Sequence, residues 1–217
     1  MILVEETESA VVARNRPFDL TLGDLDASHK CLQRWHIDRE TAQHFGIGYY
    51  RGRVAVLRNR LVIPLHNASG HPIGFAARDV SRVHANDHLA YTYYPDIDTS
   101  LDLFNLHRAL AFQSRRFSAS DVILVGDFLD CLTVHQARFE SVVALMRTSL
   151  SETQEKLLAE NFEMVSIMLS GSPESPAMAR QLAARLASRL YVRIIDVPAE
   201  TRLALLNEEE LRDLITS

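Results

Sequence analysis

Two aspartates three residues apart are the residues best placed to do chemistry. They lie in Val122–Asp130, VILVGDFLD, where an apolar run ends in a Gly-Asp turn with Asp127 and Asp130. Carboxylates at the carboxyl end of a buried strand are where α/β folds hold metals and phosphates. The next such run, Met164–Leu169, ends instead in Ser170-Gly171-Ser172-Pro173. Hydroxyls are poor magnesium ligands without carboxylates nearby.

The sequence therefore leaves two interpretations of this acid pair. In the first, Asp127 and Asp130 hold a single weak magnesium ion. In the second, Asp127 occupies the turn and Asp130 caps the following helix. We expect no cofactor, unless the chain is an active enzyme, which would need Mg²⁺ or Mn²⁺.

The composition is that of an ordinary globular protein. The chain has 217 residues, 47% of them hydrophobic, with few glycines and prolines, so it can bury a substantial core. Its apolar runs are too short to cross a bilayer, and the acidic start MILVEETE lacks the basic flank of a signal peptide. We expect a cytoplasmic protein without membrane contact. Cys31 and Cys131 are isolated, which favours buried apolar fillers over a disulfide or zinc site.

Charge is unevenly distributed along the chain. The net charge of -5 argues against strong general affinity for nucleic acid. Between Ile47 and Arg82, however, only Asp79 is acidic, and six residues are arginine: Arg51, Arg53, Arg58, Arg60, Arg78 and Arg82. Guanidinium groups suit bidentate phosphate contacts, although a general bias toward arginine codons would produce the same skew.

The first half of the chain reads as a mixture of short helices and strands. Residues 1–22 show no period and predict an extended arm. The predicted elements are helices Ser28–Trp35 and Asp38–Phe45, antiparallel strands Val54–Leu57, Arg60–Leu65 and Ile73–Ala77, a loop over 79–100, and a helix over 101–112.

The second half changes to strands alternating with helices. Its predicted strands are Val122–Val125, Ser141–Leu145, Met164–Leu169 and Val192–Val197, and its helices are Leu129–Gln136, Glu152–Glu160, Ala177–Leu190 and Glu208–Ile215. Short apolar strands in this pattern indicate a mainly parallel sheet covered on both faces. The fold class is therefore α/β, with an α+β first part.

Several stretches, in order, resemble the polymerase core of bacterial DnaG-type primases, particularly phage and plasmid proteins in which a zinc finger precedes this core and a Toprim domain ends it. The resemblance covers about residues 15–214 and rests on 39–49, 59–78, 100–109, 122–132 and 142–154. It implies an N-terminal arm over 1–22, a primase subdomain with antiparallel strands over 23–117, a Toprim domain over 118–200 and a C-terminal helical segment over 201–217. The family's zinc finger has no counterpart here.

The sequence departs from the family's pattern at its catalytic acids. The family's Toprim strand ends in Val-Glu-Gly-aromatic-x-Asp, but here Gly126 stands at the Glu position and only Asp130 is kept in register. Ser170 and Ser172 stand where the resemblance implies an Asp-x-Asp motif. Two further changes are Ala90 in place of a lysine before Tyr91, and Arg147 in place of a glycine. Together these changes predict a degenerate metal site.

Basic positions survive better than the acids. Arg60 and Arg78 match positions that in the family face template or nucleotide phosphates. With Arg53, Arg58 and Tyr91, they are our candidates for holding single-stranded DNA or RNA by ionic contact and base stacking. The alternative is that the arginines solvate sheet edges and the tyrosine packs.

Three functions follow from these residues. The leading hypothesis is a catalytically impaired, primase-like binding module that serves replication, a mobile element or defence through nucleic acid or a protein partner. The alternative is an active primase that uses Asp127 and Asp130, together with Glu174, as a shifted metal site. The third is a structural subunit that assembles with a zinc-finger primase.

Overall fold

The computed structural model describes residues 14–81, 91–115 and 120–217. Some predicted features therefore lie outside the described residues, namely most of the arm over 1–22, Arg82, Ala90 and the boundary between 117 and 118. The described residues form two sheets, one of five strands and one of four. The division into domains stays a prediction.

The first sheet is antiparallel, with strands in chain order. Its strands are β1 (Leu25–Asp26), β2 (Gly48–Tyr50), β3 (Arg60–His66), β4 (Pro72–Asp79) and β5 (Tyr91–Tyr94). Arg78 pairs with Leu61 on one side and Tyr91 on the other, so these three side chains share a face of the sheet. Arg60, next to Leu61, points to the opposite face.

The predicted antiparallel pairing of β3 with β4 is confirmed, whereas the strand at Val54–Leu57 and the unbroken loop over 79–100 were wrong. The apolar Val54–Leu57 forms a tight turn, since the amides of Leu57 and Arg58 donate to the Val54 carbonyl. β5 completes the sheet edge within the expected loop. Strands β1 and β2 were missed because they have only two and three residues.

The second sheet is wholly parallel, as the sequence predicts. Its strands are β6 (Asp121–Val125), β7 (Val142–Ala144), β8 (Met164–Ile167) and β9 (Tyr191–Ile194), in the order β7-β6-β8-β9. The helices of the chain are α1 (Lys30–Gln33), α2 (Arg39–Phe45), α3 (Leu106–Gln113), α4 (Phe128–Gln136), α5 (Glu152–Asn161), α6 (Ser175–Leu186) and α7 (Glu208–Thr216).

One apolar core joins the two sheets. It contains Phe45 from α2, Ile63 from β3 and Phe128 from α4, all nearly inaccessible to solvent. A second core lies on the other face of the parallel sheet, under α5 and α6. Cys31 and Cys131 are buried, as expected. Among the described residues, no helix is long and apolar enough to cross a membrane.

Candidate functional site

Asp127 lies where β6 gives way to α4, between the two sheets. Its backbone is extended and its carboxylate accepts the Leu129 amide across 2.8 Å, which makes it the N-cap of α4. The expectation that Asp130 caps this helix was therefore wrong. A carboxylate at this position also interacts favourably with the positive end of the helix dipole.

Arg78 and Tyr91 connect the antiparallel sheet to Asp127. The Arg78 Nη1 donates to the Tyr91 hydroxyl, and that hydroxyl donates to Asp127 Oδ1, each across 3.3 Å. Arg78 is only 1% exposed, and its guanidinium lies 5.0 Å from the Trp35 ring and 5.5 Å from the Tyr91 ring. Burial, reinforced by the Asp127 charge, raises the pKa of Tyr91, so this hydroxyl stays protonated as a donor.

Asp130 faces the turn after β8 and the C-terminal segment. Its Oδ2 accepts the Ser170 hydroxyl across 2.9 Å, and its Oδ1 accepts the Ala204 amide across 3.2 Å. Ala204 belongs to a 3₁₀ turn, Leu203–Leu205, whose first amide donates to Ser170 Oγ. Asp130 and Ser170 therefore form a polar clamp that fixes the C-terminal segment over the parallel sheet.

The environment of the acid pair holds the pKa of Asp130 above its usual range. Burial, together with the neighbouring Asp127 charge, raises the pKa of Asp130 to about 7. The Ser170 hydroxyl and the Ala204 amide oppose this rise by donating to the carboxylate. Since Asp130 is 5% exposed, water does little to offset the repulsion.

The structure brings together few ligands for the divalent cations that the family resemblance implies. Magnesium requires several oxygen ligands in near-octahedral geometry, whereas Asp127 and Asp130 are two carboxylates, and the oxygens of Asp130 are directed toward Ser170 and Ala204. Glu174, the third acid considered, is exposed and accepts a hydrogen bond from Ser172. Within the described part of the chain, no group of three or more His, Cys, Asp or Glu side chains could hold a metal ion.

The five predicted nucleic-acid contacts separate into two groups. Arg53 and Arg58 are exposed in the turn between β2 and β3, where Arg58 donates to the carbonyls of Gly52 and Arg53. Arg60 is half-buried and donates to Thr92 Oγ1 across 2.6 Å on the outer face of the sheet. Arg78 and Tyr91 instead lie inside, beside Asp127.

Sequence reasoning missed two contributors to this site. Trp35 covers Arg78, and Ala204 supplies a backbone amide to Asp130. Tyr93, which the sequence suggests as a stacking residue beside Tyr91, donates to the Met146 carbonyl across 2.9 Å. Trp35 is the only tryptophan in the chain, which is the one signal that could have singled it out. Ala204 could not be singled out, because every residue except proline has a backbone amide that can donate in this way.

The two sheets and the acid-bearing helix between them define the class: an antiparallel subdomain packed on a Toprim-type parallel sheet, which is the fold of a DnaG primase catalytic core. The Aquifex aeolicus primase structure, with zinc-binding and RNA polymerase domains, matches 85% of this chain and 54% of its own with a TM-score of 0.70 at 22% identity. A DnaG catalytic domain bound to single-stranded DNA matches 88% of this chain and 71% of its own, with a TM-score of 0.68 at 17% identity.

Curated sequences point to the same group of proteins. The DNA primase of Mycoplasma genitalium is 25% identical over 126 residues, covering 57% of this chain and 20% of that protein. The primase of Synechococcus elongatus is 30% identical over 132 residues, covering 59% and 17%. No family model matches the chain. The chain is therefore similar in sequence to DNA primases over more than half of its length, and it spans about a fifth of the length of these curated relatives.

Proposed function

We propose that this chain is a primase-like nucleic-acid-binding module in which primer synthesis is impaired. The observation that carries the proposal is the bonding of Asp130, whose two oxygens are held by Ser170 and Ala204. Each oxygen of Asp130 keeps a second lone pair, but the clamp directs this carboxylate toward the C-terminal segment, and no group of three His, Cys, Asp or Glu side chains in the described part of the chain could hold a metal ion. A site with so few carboxylates supports the proposal that primer synthesis is impaired.

Binding would centre on the turn between β2 and β3, which we call the arginine turn (residues 51–60). It contains four arginines and no acid. Arg51, Arg53 and Arg58 are exposed, and Arg51 also lies 5.5 Å from the Tyr49 ring. A local positive patch of this kind attracts phosphates even when the net charge of the chain is negative.

Single-stranded nucleic acid is the proposed ligand, because a flexible strand can bring its phosphates to several exposed guanidinium groups. One structural neighbour is described as bound to single-stranded DNA and another as a complex with double-stranded DNA, so a duplex is the competitor in the binding test. The proposed protein partner is a replication, mobile-element or zinc-finger primase protein. Arg78 and Tyr91 would then hold the two sheets together rather than touch the strand.

The binding half is tested by fluorescence anisotropy with a labelled oligo(dT) at several salt concentrations. Replacing two phosphate contacts, Arg53→Ala with Arg58→Ala, should lower the dependence of log affinity on log salt by about 1.4, since each single-strand contact contributes about 0.7. The matched control is Arg115→Ala with Arg180→Ala, two exposed arginines far along the chain. Equal losses in both double variants would refute a specific arginine turn.

The catalytic half is tested by template-dependent primer synthesis with Mg²⁺ and with Mn²⁺. We expect no product above a reaction without protein. Metal-dependent product that Asp130→Ala abolishes would show instead an active primase that uses Asp127 and Asp130. Absence of both product and oligonucleotide binding, with co-purification of a zinc-finger primase, would favour a structural subunit.

A further inference from the structure

Strand β9 forms an outer edge of the parallel sheet and carries exposed apolar side chains. Tyr191 is 80% exposed and Ile194 is 36% exposed, which places both among the few exposed large hydrophobic residues. Among the described residues, β9 pairs only with β8, on its inner side. An exposed edge with apolar residues is a template for pairing with another strand.

The backbone of β9 has donors directed away from the sheet. The amides of Tyr191 and Ile195 donate to the carbonyls of Glu163 and Ile167 on the β8 side, each across 2.9 Å. Because successive residues of a strand direct their amides to opposite sides, those of Val192 and Ile194 face outward. The outer edge therefore presents two donors and the carbonyls between them.

We propose that β9 pairs antiparallel with β9 of a second copy of this chain, with Val192 opposite Val192. The outward amide and carbonyl of each Val192 then exchange two hydrogen bonds across the two-fold axis. The amide of each Ile194 reaches the carbonyl of Leu190 in the second copy. The two parallel sheets become one sheet continuous through both copies.

The side chains of β9 complement themselves in this register. Tyr191 on one strand faces Arg193 on the other, twice, and an arginine beside an aromatic ring is a favourable pair. On the opposite face, Val192 meets Val192 and Ile194 meets Leu190, which extends the apolar core under α6. Sliding one strand by two residues moves the two-fold axis to Arg193 and places Arg193 opposite Arg193, and like charges directly opposite each other destabilise a sheet.

A four-residue strand buries less surface than a permanent interface of about 1,200–2,000 Å². We therefore expect a weak, concentration-dependent dimer that forms above about 10 μM. Dimerisation would place two arginine turns on one particle and raise the affinity for a long single strand by effective concentration. That consequence rests on the proposed function, but the dimer itself does not.

Cysteine cross-linking tests the register directly. Tyr191→Cys and Arg193→Cys are made as separate proteins, because residues directly opposite in an antiparallel pair lie close enough for a disulfide. After oxidation, the mixture should give a cross-linked heterodimer, whereas each variant alone should not. Cys31 and Cys131 are 1% and 0% exposed, so the wild-type protein should stay unlinked. Equal cross-linking by either variant alone, or none in the mixture, would overturn the proposal.

Analytical ultracentrifugation gives an independent test with Val192→Pro. Proline at this position removes an outward amide but none of the bonds to β8, so the variant should keep the wild-type circular dichroism and melting temperature. We expect the dimer fraction of the wild type to rise with concentration and that of Val192→Pro to stay near zero. A wild type that remains monomeric at all concentrations, or a variant that dimerises equally, would refute the pairing. Neither result depends on nucleic-acid binding.

Discussion

The Tyr91 hydroxyl donates to Asp127 Oδ1 across 3.3 Å and so joins the edge strand of the antiparallel sheet to the first helix of the parallel sheet. The same hydroxyl accepts a hydrogen bond from Arg78, so a cation and a carboxylate are both bonded to the Tyr91 side chain. The Tyr91 ring also contacts the edge of Phe128, with 4.8 Å between centroids. This contact makes Tyr91 a structural tie between the sheets.

Tyr91→Phe should therefore destabilise the fold without altering its packing. The ring and its contact with Phe128 remain, while Arg78 and Asp127 lose their shared partner. We expect the free energy of unfolding to fall by about 1 kcal/mol, the net contribution of a hydrogen bond, because Arg78 and Asp127 keep other partners. Urea denaturation measures it, with Tyr94→Phe on the same strand as the control. A loss of oligonucleotide binding without a loss of stability would instead assign Tyr91 to the ligand.

Removing Asp130, the acceptor of the polar clamp, should lower the free energy of unfolding by more than removing the Ser170 donor. Asp130→Ala leaves the Ser170 hydroxyl and the Ala204 amide without their carboxylate, so we expect a loss of about 2–4 kcal/mol. Ser170→Ala should cost about 1–2 kcal/mol. Because the two residues share one contact, the double variant should be less destabilised than the sum of the single changes, as a double-mutant cycle would show. Strict additivity would contradict the clamp.

Local patterns in the sequence were enough to predict the parallel sheet. Short apolar runs separated by helices indicated its strands, and the capping box of Ser151 and Gln154 at the start of α5 is a pattern visible in the sequence. Asp38 and Gly46, residue types that favour the two ends of a helix, bound α2. These signals are short-range, so they need no knowledge of tertiary contacts.

The interior of the site could not be predicted for the same reason. Arg78 looks like a surface residue in sequence because a charged side chain is rarely buried. Its burial depends on Trp35 and Tyr91, which are distant in the chain and meet only in the fold. The serine at position 170 was visible in the sequence, but its hydrogen bond to Asp130 was not.

Acid should destabilise the junction of α2, β3, α3 and α4, where histidines lie in pairs. The rings of His66 and His107 are 4.6 Å apart, and those of His44 and His135 are 5.0 Å apart. Burial, followed by neighbouring positive groups, lowers the pKa of His66 to about 4, of His107 to about 3 and of His135 to about 4. These histidines stay neutral when folded at a pH where the unfolded chain is protonated.

The histidine contribution to stability should therefore be full above the unfolded histidine pKa of 6.5 and fall as the pH drops toward 4. The raised pKa of Asp130 acts in the opposite direction, so the histidine effect is measured as a difference between the wild type and a histidine variant. His107→Phe keeps a ring beside His66 but cannot titrate, and the buried Nδ1 that it removes has no hydrogen-bond partner in the described structure. We expect this variant to lose less stability than the wild type between pH 7.5 and 5, by about 1 kcal/mol. Urea midpoints at the two pH values measure the difference. An equal loss of stability in the wild type and in His107→Phe would contradict the prediction.

Gly171 is the position where the C-terminal segment approaches the turn after β8 too closely for any side chain. Its amide donates to the Thr201 carbonyl across 2.7 Å, and a Cβ added there would lie 2.1 Å from the Pro198 carbonyl oxygen. Gly171→Ala must therefore displace backbone, and we expect a loss of at least about 2 kcal/mol, the cost of a strained or overpacked site. Gly23→Ala is the matched control, because nothing lies within 4 Å of its Cβ position. Hydrogen exchange should show faster exchange at the Thr201, Leu203 and Ala204 amides in Gly171→Ala alone. Unchanged protection there would mean that the C-terminal segment is held by its apolar contacts rather than by this turn.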